Sequence, residues 1–187
     1  MTGRTPPQPD ASDIEALDRA APEAFNAAVS PLFEGAPAFL ARLAGARPFG
    51  SWAALFQAAR RIAQAMPEAE QVQLVDAHPR LGAPPGSVSA LSFVEQGYDR
   101  EEVANLALER ERERGRIAAQ LDDLNAQYEA IFGFRCCVFV AGRPRAELIP
   151  EMAAALGRER ESELRRALHA VVDIAIDRHR KSSTVSQ

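Results

Sequence analysis

The chain has 187 residues, 47 % of them hydrophobic, with a formal net charge of −4. That length suits one domain with a substantial core. The mildly acidic balance offers no electrostatic footprint for nucleic acid, and no run approaches the roughly 18 apolar residues a membrane helix needs.

Residues 1–11, with Pro6, Pro7 and Pro9 among polar neighbours, are expected to be a flexible tail. They lack the apolar centre of a secretory signal, so a soluble, cytoplasmic protein is expected. Alanine is abundant while Tyr, Trp and Thr are scarce, a balance that favours helix over sheet. The expected fold class is all-α, one helical domain over residues 12–180 followed by a second flexible tail at 181–187.

Ser12, with Glu15 three residues on, predicts a capping box and a short helix. A second helical stretch covers roughly 22 to 33, and a third runs from the Gly35-Ala36-Pro37 break to about residue 44. Ser51 is a good N-cap. After it Trp52, Leu55, Phe56, Ala59, Ile62 and Met66 repeat at helical spacing and form one apolar face. Pro67 separates this helix from the next, which carries Val72, Leu74 and Val75 to a break at His78-Pro79.

The proline biases His78 away from helical geometry, and its imidazole is suited to acid–base work near neutral pH. Gly82, Pro84, Pro85 and Gly86 make the following stretch, Pro79 to Ala90, a loop. Ser92 to Gln96 then reads as a short helix closed by Gly97. Ser92 and Glu95, three apart, share a helical face, and Gln96 sits about 100° round the helix. A hydroxyl, a carboxyl and an amide so arranged suit a small, polar, amide-rich molecule. The plain alternative is a capping serine with two solvated side chains.

A long helix is predicted from about Arg100 to Phe132. Its alternating charges from Glu109 to Arg116 read as a solvated face. Farther on, Leu121, Leu124, Asn125, Tyr128 and Phe132 share one side, so an amide is held within an apolar stripe. Phe134 to Val140 is a short buried run for which periodicity leaves strand and helix open. Cys136 and Cys137 are the only cysteines. Adjacent cysteines bridge only through a strained ring, so they read as reduced core residues. No metal-ligand spacing appears.

Helices over about 146–156 and 159–180 complete the chain. In the last one Leu164, Leu168, Val171 and Ala175 form an inward stripe whose continuation lands on Arg178. An arginine there either snorkels to solvent or holds an anion at a pocket edge.

His78-Pro79-Arg80-Leu81-Gly82, then Ser92-x-x-Glu95-Gln96, then Asn125-x-x-Tyr128-x-x-x-Phe132-Gly133-Phe134, in that order, resemble the signature of the OHCU decarboxylases. These enzymes act on 2-oxo-4-hydroxy-4-carboxy-5-ureidoimidazoline in urate breakdown and produce (S)-allantoin. The likeness runs from about Leu32 to Arg178. It implies an all-α helical bundle, a homodimer, no cofactor, and a small-molecule substrate as partner rather than nucleic acid or membrane.

Carried over by motif, the catalytic positions are His78, Glu95 and Arg178. Substrate-contacting positions are Pro79, Ser92, Phe93, Val94 and Gln96, together with the segment Cys136, Cys137, Val138, Phe139 and Val140, whose backbone meets the substrate in the family. Two departures stand out. Many relatives carry an aromatic where this chain has Cys136, and the loop between His-Pro and the serine is shorter than in animal members. Two rival expectations accompany this reading: an enzyme of the same fold acting on another ureido or imidazoline acid, and a non-catalytic helical interaction module.

Overall fold

The computed structural model describes residues 13–98 and 108–185. The tail expected over 1–11, the proposed cap Ser12, residues 99–107, where the long helix is expected to begin, and residues 186–187 of the expected second tail lie outside them. The described residues are helices and connecting segments, in agreement with the all-α expectation. The helices are α1 (Ile14–Arg19), α2 (Pro22–Val29), α3 (Pro37–Gly45), α4 (Trp52–Ala65), α5 (Glu68–Asp76), α6 (Ala90–Glu95), α7 (Leu108–Phe132), α8 (Arg145–Ala155) and α9 (Arg160–Val185). Short 3-10 turns occupy Ser30–Phe33 and Pro85–Ser87. No described helix is long and apolar enough to cross a membrane.

Local chemistry sets the boundaries. Asp13 caps α1, its carboxylate accepting from the Glu15 and Ala16 amides, so the cap lies one residue later than the capping-box pattern predicts. Ser51 caps α4 as expected, accepting from the Ala54 amide at 3.1 Å. Pro67 separates α4 from α5. Residues expected as one helix from 22 to 33 divide instead, α2 tightening into 3-10 geometry where Pro31 lacks an amide hydrogen. The last helix does not stop near 180 but continues to Val185.

α9 is the central strut and packs on α4, α5 and the Ser30–Phe33 turn. Leu164, Leu168, Val171 and Ala175 are buried, as the stripe predicts, and so are Ala167, Val172 and Ile174. Full burial of each large aliphatic side chain contributes about 1.5–3 kcal/mol, so this face anchors the bundle. α7 packs on α8, and Tyr128, Phe132 and Phe134 form an aromatic cluster at its C-terminal end. Gly133, at φ 75°, ends α7 in a left-handed conformation that costs glycine little. Residues 135–140 then adopt neither helix nor strand. Their buried side chains reflect a place between helices, not a regular element.

Candidate active site

α5 ends at Asp76 because Pro79 has no amide hydrogen with which to continue it. His78 is thereby left just beyond the last turn, 3 % exposed, with its Nδ1 3.3 Å from the Leu74 carbonyl oxygen. A carbonyl only accepts, so Nδ1 carries the ring hydrogen and Nε2 keeps a lone pair. Nε2 is buried and has no protein partner. Burial, reinforced by the charge of Arg178, pushes the His78 pKa down to about 4, against opposing contributions from Glu34 and the Leu74 carbonyl. The ring is neutral at physiological pH.

The turn carrying His78 is fastened from two sides. Arg135 donates to the carbonyls of Asp76 (2.7 Å) and His78 (3.2 Å), while its own amide donates to the Asp76 carboxylate. On the other side, buried Asn125 donates to the Leu81 carbonyl at 3.0 Å. The amide in the apolar stripe of α7 therefore serves to hold the loop. Gln96 does likewise: its Oε1 accepts from the Gly82 amide at 2.8 Å, and its Nε2 donates to the Arg80 carbonyl.

α6, capped by the Ser89 hydroxyl, brings Ser92, Glu95 and Gln96 to a cleft between helices. Arg178 enters from α9. It does not snorkel; its side chain is 2 % exposed. Nε and Nη2 meet the two oxygens of Glu95 at 2.6 and 2.8 Å, a fork-to-fork pair. Nη2 also donates to Glu34 (2.8 Å) and to the Ser92 hydroxyl (3.1 Å). Nη1 is taken by the Pro31 and Leu32 carbonyls. Every nitrogen of the guanidinium thus has a protein acceptor, and the hydrogen bonds and charge of Glu95 outweigh burial in raising its pKa.

Glu34 is the member that the sequence reading misses. It follows the Ser30–Phe33 turn in a left-handed conformation, φ 51°, and accepts from Ser92 Oγ (2.7 Å), Ser89 Oγ (2.9 Å) and Arg178. Burial opposes its charge, but the bonds from Ser92 and the attraction of Arg178 prevail and hold its carboxyl below the usual range. In sequence it is an acidic residue beside Gly35 in a turn, and its cationic partner is 144 positions away. No local pattern announces it.

His78, Pro79, Ser92, Glu95, Gln96, Arg178 and the five residues Cys136–Val140 all line this cleft. Phe93 and Val94 do not. Phe93 packs on the Tyr98 ring, and Val94 is 44 % exposed on the rim of a vestibule outside. Cys136 and Cys137 are buried free thiols whose pKa burial pushes up to about 12, so neither supplies a thiolate near neutral pH. Arg143 takes the carbonyls of Phe139 (2.8 Å) and Val140 (3.1 Å). Peptide planarity then points the Val140 N–H away from Arg143. Among the described residues no cluster of three or more His, Cys, Asp or Glu is placed to hold a metal.

The cleft therefore combines a buried neutral imidazole bearing a free lone pair, a fixed carboxylate, and a wall made by the Cys136–Val140 segment with its backbone and apolar side chains. Such a set can remove a proton from a bound molecule and return one from a defined side.

Residues 18–180 match the sequence profile of the family described as OHCU decarboxylase. A crystal structure of OHCU decarboxylase in the presence of (S)-allantoin superimposes with a TM-score of 0.61 at 19 % identity, over 87 % of this chain and 97 % of that one. A crystal structure of (S)-allantoin synthase gives a TM-score of 0.60 at 15 % identity, covering 90 % of this chain and 53 % of that one, about half its length. At these identities the likeness is one of fold. A search among curated proteins finds no match.

Proposed function

The chain belongs to the OHCU decarboxylase family and is a carboxy-lyase, and from that premise we propose that it converts 2-oxo-4-hydroxy-4-carboxy-5-ureidoimidazoline to (S)-allantoin in urate catabolism. The observation that carries the reading is the unpartnered Nε2 of His78, buried beside the Glu95–Arg178–Glu34 cluster.

In this substrate the carbon bearing the carboxylate adjoins a ring C=N bond. When the carbon–carboxylate bond breaks and carbon dioxide departs, the electron pair moves into the ring and onto that nitrogen, which takes a proton from solvent. The substrate is thus its own electron sink and needs no cofactor for that purpose. His78 Nε2 accepts the hydroxyl proton of the same carbon, which becomes a carbonyl, and a proton is returned to one face of the neighbouring ring carbon. Delivery to one face sets the hand of the product, whereas decay in water gives both hands.

Glu34, the carboxylate whose charge favours a protonated His78, sustains the positive charge that develops there during the transfer, and Glu95 faces the substrate from the wall of the same cleft. Arg178 has its donors committed within the protein, so its role is to fix Glu95 and Glu34 and to disfavour a resting imidazolium. Main-chain donors of the Cys136–Val140 segment and the Ser92 side of the cleft hold the ureido and ring carbonyl groups. Pro79 and Gln96 shape the floor. The family resemblance extends the proposal to a cytoplasmic homodimer with one catalytic domain over residues 12–180.

The test is circular dichroism of the product from freshly generated substrate. Wild type gives an allantoin signal above the racemic background, and His78→Ala and Glu95→Gln each lose at least about a hundredfold in turnover while keeping the helical spectrum. Glu95→Gln preserves an acceptor for Arg178, so loss of activity there is separated from loss of fold. Wild-type turnover in either variant removes that residue from the chemistry. Absence of signal from wild type favours a related ureido or imidazoline acid as substrate, for which the thiol wall at Cys136 makes room.

A further inference from the structure

The cleft has an outer vestibule, and the two spaces share Glu95, Phe139, Ala141, Gly142, Asp177 and Lys181. Among the described residues lining the cleft, the permanent cations are Arg178 and Lys181. Arg178 is enclosed, with each of its nitrogens on a protein acceptor. The carboxylates of Glu95 and Glu34 against that single guanidinium leave the inner cluster with one net negative charge. An anionic substrate therefore approaches an inner site that repels it and offers it no free cation.

Lys181 stands one helical turn beyond Arg178 on α9, where the cleft opens. Its ammonium lies 2.6 Å from Asp177, with 53 % of the side chain exposed. An exposed pair four residues apart on a helix is weak and screened by salt, and an ammonium has three donors on a flexible stem. It can turn toward a second carboxylate at little cost.

We propose that Lys181 is the substrate-carboxylate recognition residue of this cleft, meeting the charged group at the mouth while the ring is presented to His78. This placement rests on the decarboxylase reading above. It also puts the leaving carbon dioxide on the solvent side, from which it can escape without crossing the proton-transfer groups. Allantoin has lost the carboxylate, so the contact discriminates substrate from product.

The experiment is steady-state kinetics of Lys181→Met and Lys181→Arg on the full chain, with (S)-allantoin as a product inhibitor. For Lys181→Met the expected result is a KM raised about tenfold, kcat within about twofold of wild type, and an unchanged inhibition constant for allantoin. Lys181→Arg restores KM, and added salt raises the wild-type KM more than that of the methionine variant. An active wild type whose KM is unmoved by Lys181→Met, or whose allantoin inhibition weakens in parallel with KM, overturns the inference and leaves the decarboxylase reading standing. A wild type inactive on this substrate overturns both.

Discussion

Desolvation governs His78. With its pKa at about 4 in the folded chain against roughly 6.5 for an unburdened histidine, the unfolded chain binds more protons than the folded one between those values. The contribution to stability is therefore intact above about pH 6.5, declines as pH falls toward 4, and is constant below that. The span is worth about 3 kcal/mol. The same shift keeps the base form of the imidazole available throughout the neutral range. The acidic limb of kcat/KM, which reports the free enzyme, is expected near pH 4 to 5, and a limb centred near 6.5 would contradict the assignment. Much at this scale was legible beforehand. The proline after His78, the shared face of Ser92 and Glu95, and the inward register of Arg178 all follow from local rules. What each group bonds to was not legible: Gln96 reads as a substrate-contacting amide and Asn125 as an amide within an apolar stripe, and both are occupied with the backbone of the loop.

At the scale of elements, the loop from Pro79 to Ser89 is held in place by side chains from α6 and α7. Gly82 is its tightest point. Its φ is +82°, and a Cβ there would lie 3.0 Å from Leu121 Cδ1 on α7. Gly82→Ala is thus expected to lower stability by about 1–2 kcal/mol, read as a reduced urea midpoint. It should also lower kcat, because the Gly82 amide anchors Gln96 and the loop carries the His78 turn. An unchanged midpoint would mean that the loop is free to shift and does not position the site. Helices with a long apolar repeat, α4 and α9 above all, were readable from periodicity. Two features were not. The cap moved from Ser12 to Asp13 because adjacent residues compete for the same orphan amides. The run at 134–140 is irregular because its place is decided by tertiary contacts, such as those of Arg135 with Asp76 and the His78 carbonyl.

Across the whole molecule, two carboxylate–arginine centres join distant parts of the chain. One is the Arg178–Glu95–Glu34 cluster of the cleft, where α9 meets α6 and the Ser30–Phe33 turn. The other surrounds Glu163, fully buried on α9, which accepts from Tyr128 of α7 (2.9 Å), Arg166 (2.7 Å) and Arg158 (3.1 Å). The partly exposed Arg158 and Arg166 can turn to solvent when Glu163 is removed, but the buried Tyr128 hydroxyl loses its acceptor, so Glu163→Leu is expected to cost about 1–3 kcal/mol. Thermal or urea unfolding measures it, and a neutral substitution would show that the network is dispensable. The first centre could not be assembled from local pattern, since Glu95 and Glu34 lie 83 and 144 residues from Arg178. In the second the Glu163–Arg166 pair is local, and it is the bond from Tyr128, 35 residues away, that leaves no periodic trace. The order of the motifs located most of the cleft, but Glu34 became visible only once the fold brought it to Arg178. The proposed role of His78 as a neutral buried base in stereospecific decarboxylation is tested by the circular dichroism time course of allantoin formed from fresh substrate by wild type and by His78→Ala at equal concentration. An (S)-allantoin signal is expected for wild type and only the racemic background for the variant; equal signals from both would refute the role.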